Sequence, residues 1–149
     1  MLNTYVVEGG IGKQVAFTSI IPALKKRDEE AIQISSPYVD CYGGNPHVKM
    51  AYDLSTIPLN DPRILESDNI IYFEPYKSNF VKGDMHIVES FCQLTGVEYS
   101  PEMRPRIYTD HLAESVDKWL KERDIEKYVL VQFTGGQTPL AFSPDKPYQ

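Results

Sequence analysis

The residues best suited to chemistry lie near the start of the chain, in Val6-Val7-Glu8-Gly9-Gly10-Ile11-Gly12-Lys13. A short apolar run, Thr4 to Val7, reads as a buried strand. Three glycines in four positions break it, and a helix-compatible segment follows from Gln14. Strand, glycine turn and helix together aim backbone N–H groups and the positive helix end at an anion, often a phosphate. The same turn also serves any α/β sheet that feeds its first helix, with glycine taking positive φ or permitting close packing. Gly10, Ile11 and Gly12 are thus candidate binding residues, and Lys13 adds a cation.

Further candidates sit where other apolar runs end. Glu74-Pro75-Tyr76-Lys77 follows one such run and Ser35 to Tyr38 follows another. Glu74 offers a carboxylate for proton transfer; its plainer reading is a strand-end acid paired with Lys77 or Lys82. Tyr38 and Tyr76 offer ring faces for stacking, although packing explains most tyrosines. His86, near a helix start, is placed to contact a ligand held by the Glu74 to Lys77 rim. His47 and His111 have no metal-ligating partners at fixed spacing. Cys41 and Cys92 show neither CxxC nor Cys/His spacing, so no metal site is expected and both read as free thiols.

The elements that must position these groups follow from periodicity. Strands are expected at Asn3 to Val7, Ala31 to Ser35, Val48 to Leu54 and Asn69 to Phe73, the last apolar enough for a strand covered on both faces. Helices are expected at Gln14 to Arg27, with a kink or late start at Pro22, and at Met85 to Thr95, capped by Asp84 and ended by Gly96. Tyr38 to Tyr42 reads as a short helix, Ser55 to Asp68 as a surface loop and Glu98 to Arg106 as a linker. A further helix, capped by Thr109 or Asp110, runs to about Arg123 with Leu112, Val116, Trp119 and Leu120 on one face. Lys127 to Phe133 reads as a final strand, followed by a second glycine turn at Thr134-Gly135-Gly136-Gln137. Alternating strands and helices give an α/β fold with a mainly parallel sheet, whose ligands bind outside the C-terminal strand ends.

Composition narrows the function classes. The chain has 149 residues and a net charge of −6, which argues against broad nucleic-acid binding. Lys25, Lys26 and Arg27 cluster at a helix end, where the helix dipole accounts for them. No run approaches the roughly 20 apolar residues of a membrane span, and there is no secretory signal pattern. A soluble, cytoplasmic protein is expected, and its final strand offers an edge for a second copy in a homodimer.

Taken together, these segments resemble the N-terminal half of the glycosyltransferase family 9 proteins, the heptosyltransferase group. The resemblance rests on Gly9-Gly10-Ile11-Gly12, on Thr18 and Ala23-Leu24-Lys25-Lys26, and on Ile32-Gln33-Ile34-Ser35-Ser36-Pro37-Tyr38. It continues through Asn45-Pro46-His47-Val48, through His86 ahead of Leu94-Thr95-Gly96, and through Arg106-Ile107-Tyr108-Thr109 before the Trp119 helix. It implies a GT-B architecture of two facing Rossmann-like domains, this chain supplying the N-terminal, acceptor-side one at 1–124. Residues 125–149 would then be the start of a truncated second domain or a tail, with Thr134, Gly135 and Gly136 on the side of the nucleotide-sugar donor. The partners implied are a nucleotide sugar and a saccharide or lipopolysaccharide acceptor, with no separate cofactor and no turnover by this chain alone.

One departure bears on chemistry. Where the family pattern has an acceptor-activating Asp after the last glycine, this sequence has Lys13. Either Lys13 binds a phosphate or carboxylate while the base comes from elsewhere, Glu74 being the candidate, or this member has lost the usual chemistry. Lys77 and His86 would assist Lys13. Two rivals remain open. The glycine turn is similar to the deviant P-loop of ParA-type ATPases, but Gln14 replaces the Mg²⁺-binding hydroxyl and Glu8 the signature lysine. The other rival is a non-catalytic α/β module that binds an acidic sugar or a partner protein.

Overall fold

The structure is a computed structural model and describes residues 1–126, apart from the side chain of Asn79. The expected strand Lys127 to Phe133 and the turn at Thr134, Gly135 and Gly136 lie outside the described residues. The chain divides into two compact units, Met1–Ala113 and Glu114–Gln149.

The first unit is built on four parallel strands: β1 (Asn3–Val6), β2 (Ile32–Ser36), β3 (Val48–Asp53) and β4 (Asn69–Tyr72). Their order is β3-β2-β1-β4, with Tyr5 beside Ile34 on one side and Ile71 on the other. The chain thus builds outward from β1 in one direction and then returns to add β4 on its opposite side. That reversal is the topological switch point of an open parallel sheet.

The expected single helix is two: α1 (Ile11–Phe17) and α2 (Ile21–Asp28). Pro22 occupies the first turn of α2, where its missing N–H costs nothing. Helix α4 (Ile87–Thr95) ends at Gly96 in the left-handed conformation, φ 72°, as its sequence predicts. Its cap is not Asp84. The His86 ring accepts the Val88 N–H through Nδ1 at 3.2 Å, satisfying a donor that opens the helix.

Tyr5, Val7, Ile32, Ile34 and Phe73 share one core with residues of α1, α2 and α4. Phe17 is its centre, with ring centroids 5.4 Å from Phe73 and 5.3 Å from Phe91. The connection from β3 to β4, which includes the short helix α3 (Pro62–Leu65), meets the strands through Ser67. Ser67 Oγ meets Thr4 Oγ1 at 2.6 Å and donates to Gln33 Oε1 at 2.9 Å.

Strand β4 departs from expectation. Among the described strands it lies at the edge of the sheet, with Ile71 turned to the core while Ile70 and Tyr72 are exposed. An apolar run reports β propensity, and periodicity alone does not separate a doubly covered strand from one with an exposed face. In the last described helix, α5 (Ala113–Lys121), preceded by a 3-10 turn at Asp110–Leu112, no residue is buried.

The N-terminal ends of the strands are held by a polar cluster. Asp28 accepts from Tyr5 Oη at 2.6 Å, Asn3 Nδ2 at 2.8 Å and Arg27 Nε at 2.7 Å. Arg27 also donates to the Thr95 carbonyl, joining α2 to α4. Burial alone would raise the Asp28 carboxyl; the hydrogen bonds from Arg27, Tyr5 and Asn3 outweigh it and hold the group below the ordinary carboxylate range. A depressed carboxyl contributes stability above its unfolded pKa of about 3.9 and loses it as pH falls through the folded value. Asp28→Asn is therefore expected to destabilise the protein by on the order of 3 kcal/mol at pH 7. In urea titrations the gap from wild type should narrow below about pH 4. A gap that stays constant down to pH 2 would contradict this role for Asp28.

Candidate functional site

The residues after β1 and after β4 meet at the switch point. Val7 extends the ladder, its N–H donating to the Ser35 carbonyl at 2.9 Å. Gly9 then turns the chain at φ 97°, a conformation that L side chains rarely adopt, and a Cβ there would stand 3.0 Å from Lys13 Cδ. Gly10 caps α1, its carbonyl accepting from Lys13 N at 3.0 Å. Gly10, Ile11 and Gly12 lie exposed at the head of the helix.

Behind this turn two polar side chains point inward. Gln14 is fully buried, and all its hydrogen-bonding capacity is used. Its amide nitrogen donates to the carbonyls of Val7 at 3.0 Å and Gly9 at 3.2 Å. Its oxygen accepts from Ser36 Oγ at 2.9 Å and Tyr42 Oη at 2.6 Å. One side chain thus fixes the end of β1, the end of β2 and the 3-10 turn Val39–Tyr42 relative to α1.

Lys13 is the other. Its side chain is only 3% exposed, and Nζ donates to both carboxylate oxygens of Glu74, at 2.8 and 2.9 Å. Glu74 is 22% exposed and also caps the 3-10 turn Pro75–Lys77, accepting from Tyr76 N at 3.1 Å. The expected pairing of Glu74 with Lys77 or Lys82 is thus replaced by one across the sheet. Lys13 Nζ lies 5.0 Å from the centroid of the Tyr76 ring, a cation–π distance. Tyr76 remains 55% exposed and has Phe80 beside it at 5.7 Å. Glu8 accepts from Tyr72 Oη at 2.8 Å on the exposed side of the same strand ends.

Of the nominated residues, the fold brings Lys13, Glu74 and Tyr76 into contact, with Gly10, Ile11 and Gly12 on the adjoining turn. Lys77 is exposed at the end of the Tyr76 turn. Tyr38 instead packs part-buried against the core, because its N–H donates to Ser36 Oγ at 3.0 Å and turns the chain inward. The His86 Nδ1 is engaged in capping α4. A separate cleft of about 790 Å³ along β3, lined by Asn45, Met50 and His111 among others, includes none of these residues. Cys41 and Cys92 are buried free thiols, raised by that burial. Among the described residues no acidic, His or Cys group forms a metal-binding cluster, and no helix is long and apolar enough to cross a membrane.

No protein-family model, no curated protein and no solved structure matches this chain.

Gln14 was not among the nominated residues. Its signal is spacing: Gln14, Phe17, Ile21 and Leu24 fall at i, i+3, i+7 and i+10, the stripe that the core buries. A polar residue on such a stripe must find partners, since burying an unsatisfied amide costs about 1–3 kcal/mol.

The burial difference between Lys13 and Glu74 makes their removal unequal. Glu74→Gln strands a buried ammonium and should cost about 3–5 kcal/mol. Lys13→Met leaves a carboxylate that water can reach, and should cost less. The double variant Lys13→Met/Glu74→Gln should recover much of the loss from Glu74→Gln in a urea-denaturation cycle. Additive costs would show that the two side chains do not interact.

Proposed function

We propose that this chain is the acceptor-side domain of a glycosyltransferase that moves a sugar from a nucleotide-sugar donor to a saccharide acceptor. One observation carries the reading. The sheet order sets the glycine turn beside the end of β4, so that the carboxylate of Glu74 reaches the lysine standing where the resembled family has its activating Asp. A carboxylate is supplied to the same end of the sheet from a different strand.

In the transfer, the acceptor oxygen bonds to the anomeric carbon as the bond from that carbon to the donor phosphate breaks. The nucleoside diphosphate departs with the bonding electrons, and the hydroxyl proton passes to the Glu74 carboxylate. Lys13 holds that carboxylate through both oxygens. The exposed turn from Gly10 to Gly12 lets the reacting groups approach the backbone. Thr134, Gly135 and Gly136, on the donor side by resemblance, fall outside the described residues. A cytoplasmic location belongs to the same proposal.

The disposition of Lys13 and Gln14 weakens the P-loop alternative. A P-loop lysine must reach the phosphates, and the following residue must ligate Mg²⁺. Here the ammonium is engaged by Glu74, and the Gln14 amide by four internal partners.

The test is an assay of the complete gene product with a panel of nucleotide sugars and saccharide acceptors, read by acceptor mass and nucleoside diphosphate release. Transfer is expected, and Glu74→Gln should lower it by about 10²–10⁴-fold, the contribution of a general base. Magnesium-dependent ATP hydrolysis with no sugar transfer would overturn the proposal.

A further inference from the structure

Three side chains at the switch point form one construction. Lys13 reaches up from α1, nearly sealed from water, and touches two groups that are not sealed. Its ammonium binds both oxygens of Glu74 and lies over the Tyr76 ring at 5.0 Å. The Tyr76 N–H donates to the same carboxylate at 3.1 Å, so acid and aromatic are locked to each other as well as to the lysine. Unlike the exposed Arg123–Glu122 pair beside Trp119, this pair has a sealed cation while its acid and its ring reach solvent. Here the buried charge fixes a carboxylate and an aromatic surface side by side at the rim, where this sheet topology places ligands.

The charges decide the ligand class. Lys13 is neutralised by Glu74, and the neighbouring exposed acid is Glu8, held by Tyr72 Oη at 2.8 Å. Helix α1 has seven residues, two turns, and offers little dipole to offset these acids. Lys77 is the one cation of the Pro75–Lys77 turn and stands exposed to solvent. An anion approaching this rim would face Glu8 and Glu74 and would have to compete for an ammonium already bound through two short hydrogen bonds. A polyol meets the opposite situation. The Glu74 oxygens can accept hydrogen bonds from hydroxyl groups, and the open part of the Tyr76 ring can take the C–H face of a sugar.

We infer that the rim formed by the ends of β1 and β4 binds an uncharged saccharide, stacked on Tyr76 and hydrogen-bonded to Glu74, with Lys13 as the positioning residue for both. The inference deepens the transferase reading by naming the acceptor class as a neutral sugar, not a phosphorylated or acidic one. The binding itself does not depend on transfer.

The 149-residue chain is titrated with glucose, galactose, mannose, N-acetylglucosamine and their common disaccharides, and with the 6-phosphates of the monosaccharides. Binding is followed by calorimetry and by NMR of the tyrosine rings. At least one uncharged sugar should bind and shift the Tyr76 ring resonances, with its phosphate binding no tighter. Tyr76→Ala should weaken binding about tenfold or more, while Tyr76→Phe retains it. Lys13→Met, checked for native circular dichroism, should also weaken binding and should move the Tyr76 ring resonances in the free protein, which a remote structural role would not do. Failure of every uncharged sugar to bind, tighter binding of the phosphates, or unchanged affinity in Tyr76→Ala would each overturn the inference. Sugar binding without transfer by the complete gene product would remove the transferase reading and leave this one. Transfer onto phosphorylated acceptors alone would do the reverse.

Discussion

A lysine ammonium buried to 3% exposure cannot remain charged inside a protein without a counter-charge, and Glu74 supplies it across 61 residues of sequence. This requirement ties the first helix to the end of the fourth strand. Gln14, the next residue, ties the same helix to the ends of the first and second strands through four hydrogen bonds. Two consecutive polar side chains on α1 therefore organise the C-terminal rim of the sheet. Their burial also explains the glycine turn before them, since Gly9 both takes positive φ and clears the path of the Lys13 stem.

The two ends of the sheet have different designs. At the N-terminal end, Asp28 gathers Tyr5, Asn3 and Arg27 into a buried cluster joining α2 to the first strand. At the C-terminal end, the buried polar groups hold partly exposed ones at the surface. The first arrangement serves stability. The second presents a carboxylate and an aromatic ring to solvent in a fixed relation.

Much of the fold was legible in the sequence because it depends on local signals. Apolar runs place β1 to β4, Gly96 ends α4, and Pro22 marks the division between α1 and α2. The rest depends on tertiary partners. The Lys13–Glu74 bond links residues far apart in the chain, and Glu74 had nearer lysines at 77 and 82 to suggest a local pairing. His86 in place of Asp84 as the cap of α4 is decided by where the helix begins, the least certain feature of a periodic pattern. Strand β4 reads as covered on both faces, yet Ile70 and Tyr72 are exposed, because nothing in a single strand records what packs on each face. Lys13 illustrates the same limit at the site: as a residue type it reads as a phosphate ligand, and its place in the fold makes it the counter-charge to an acid.

The most direct measurement of this organisation is NMR of the lysine side-chain ammonium groups in ¹⁵N-labelled protein. Lys13 should give a slowly exchanging ammonium signal, distinct from exposed lysines such as Lys26, and the signal should be lost in Glu74→Gln. A Lys13 ammonium that exchanges as fast as Lys26, or that is unchanged by Glu74→Gln, would contradict the pairing on which the site is built.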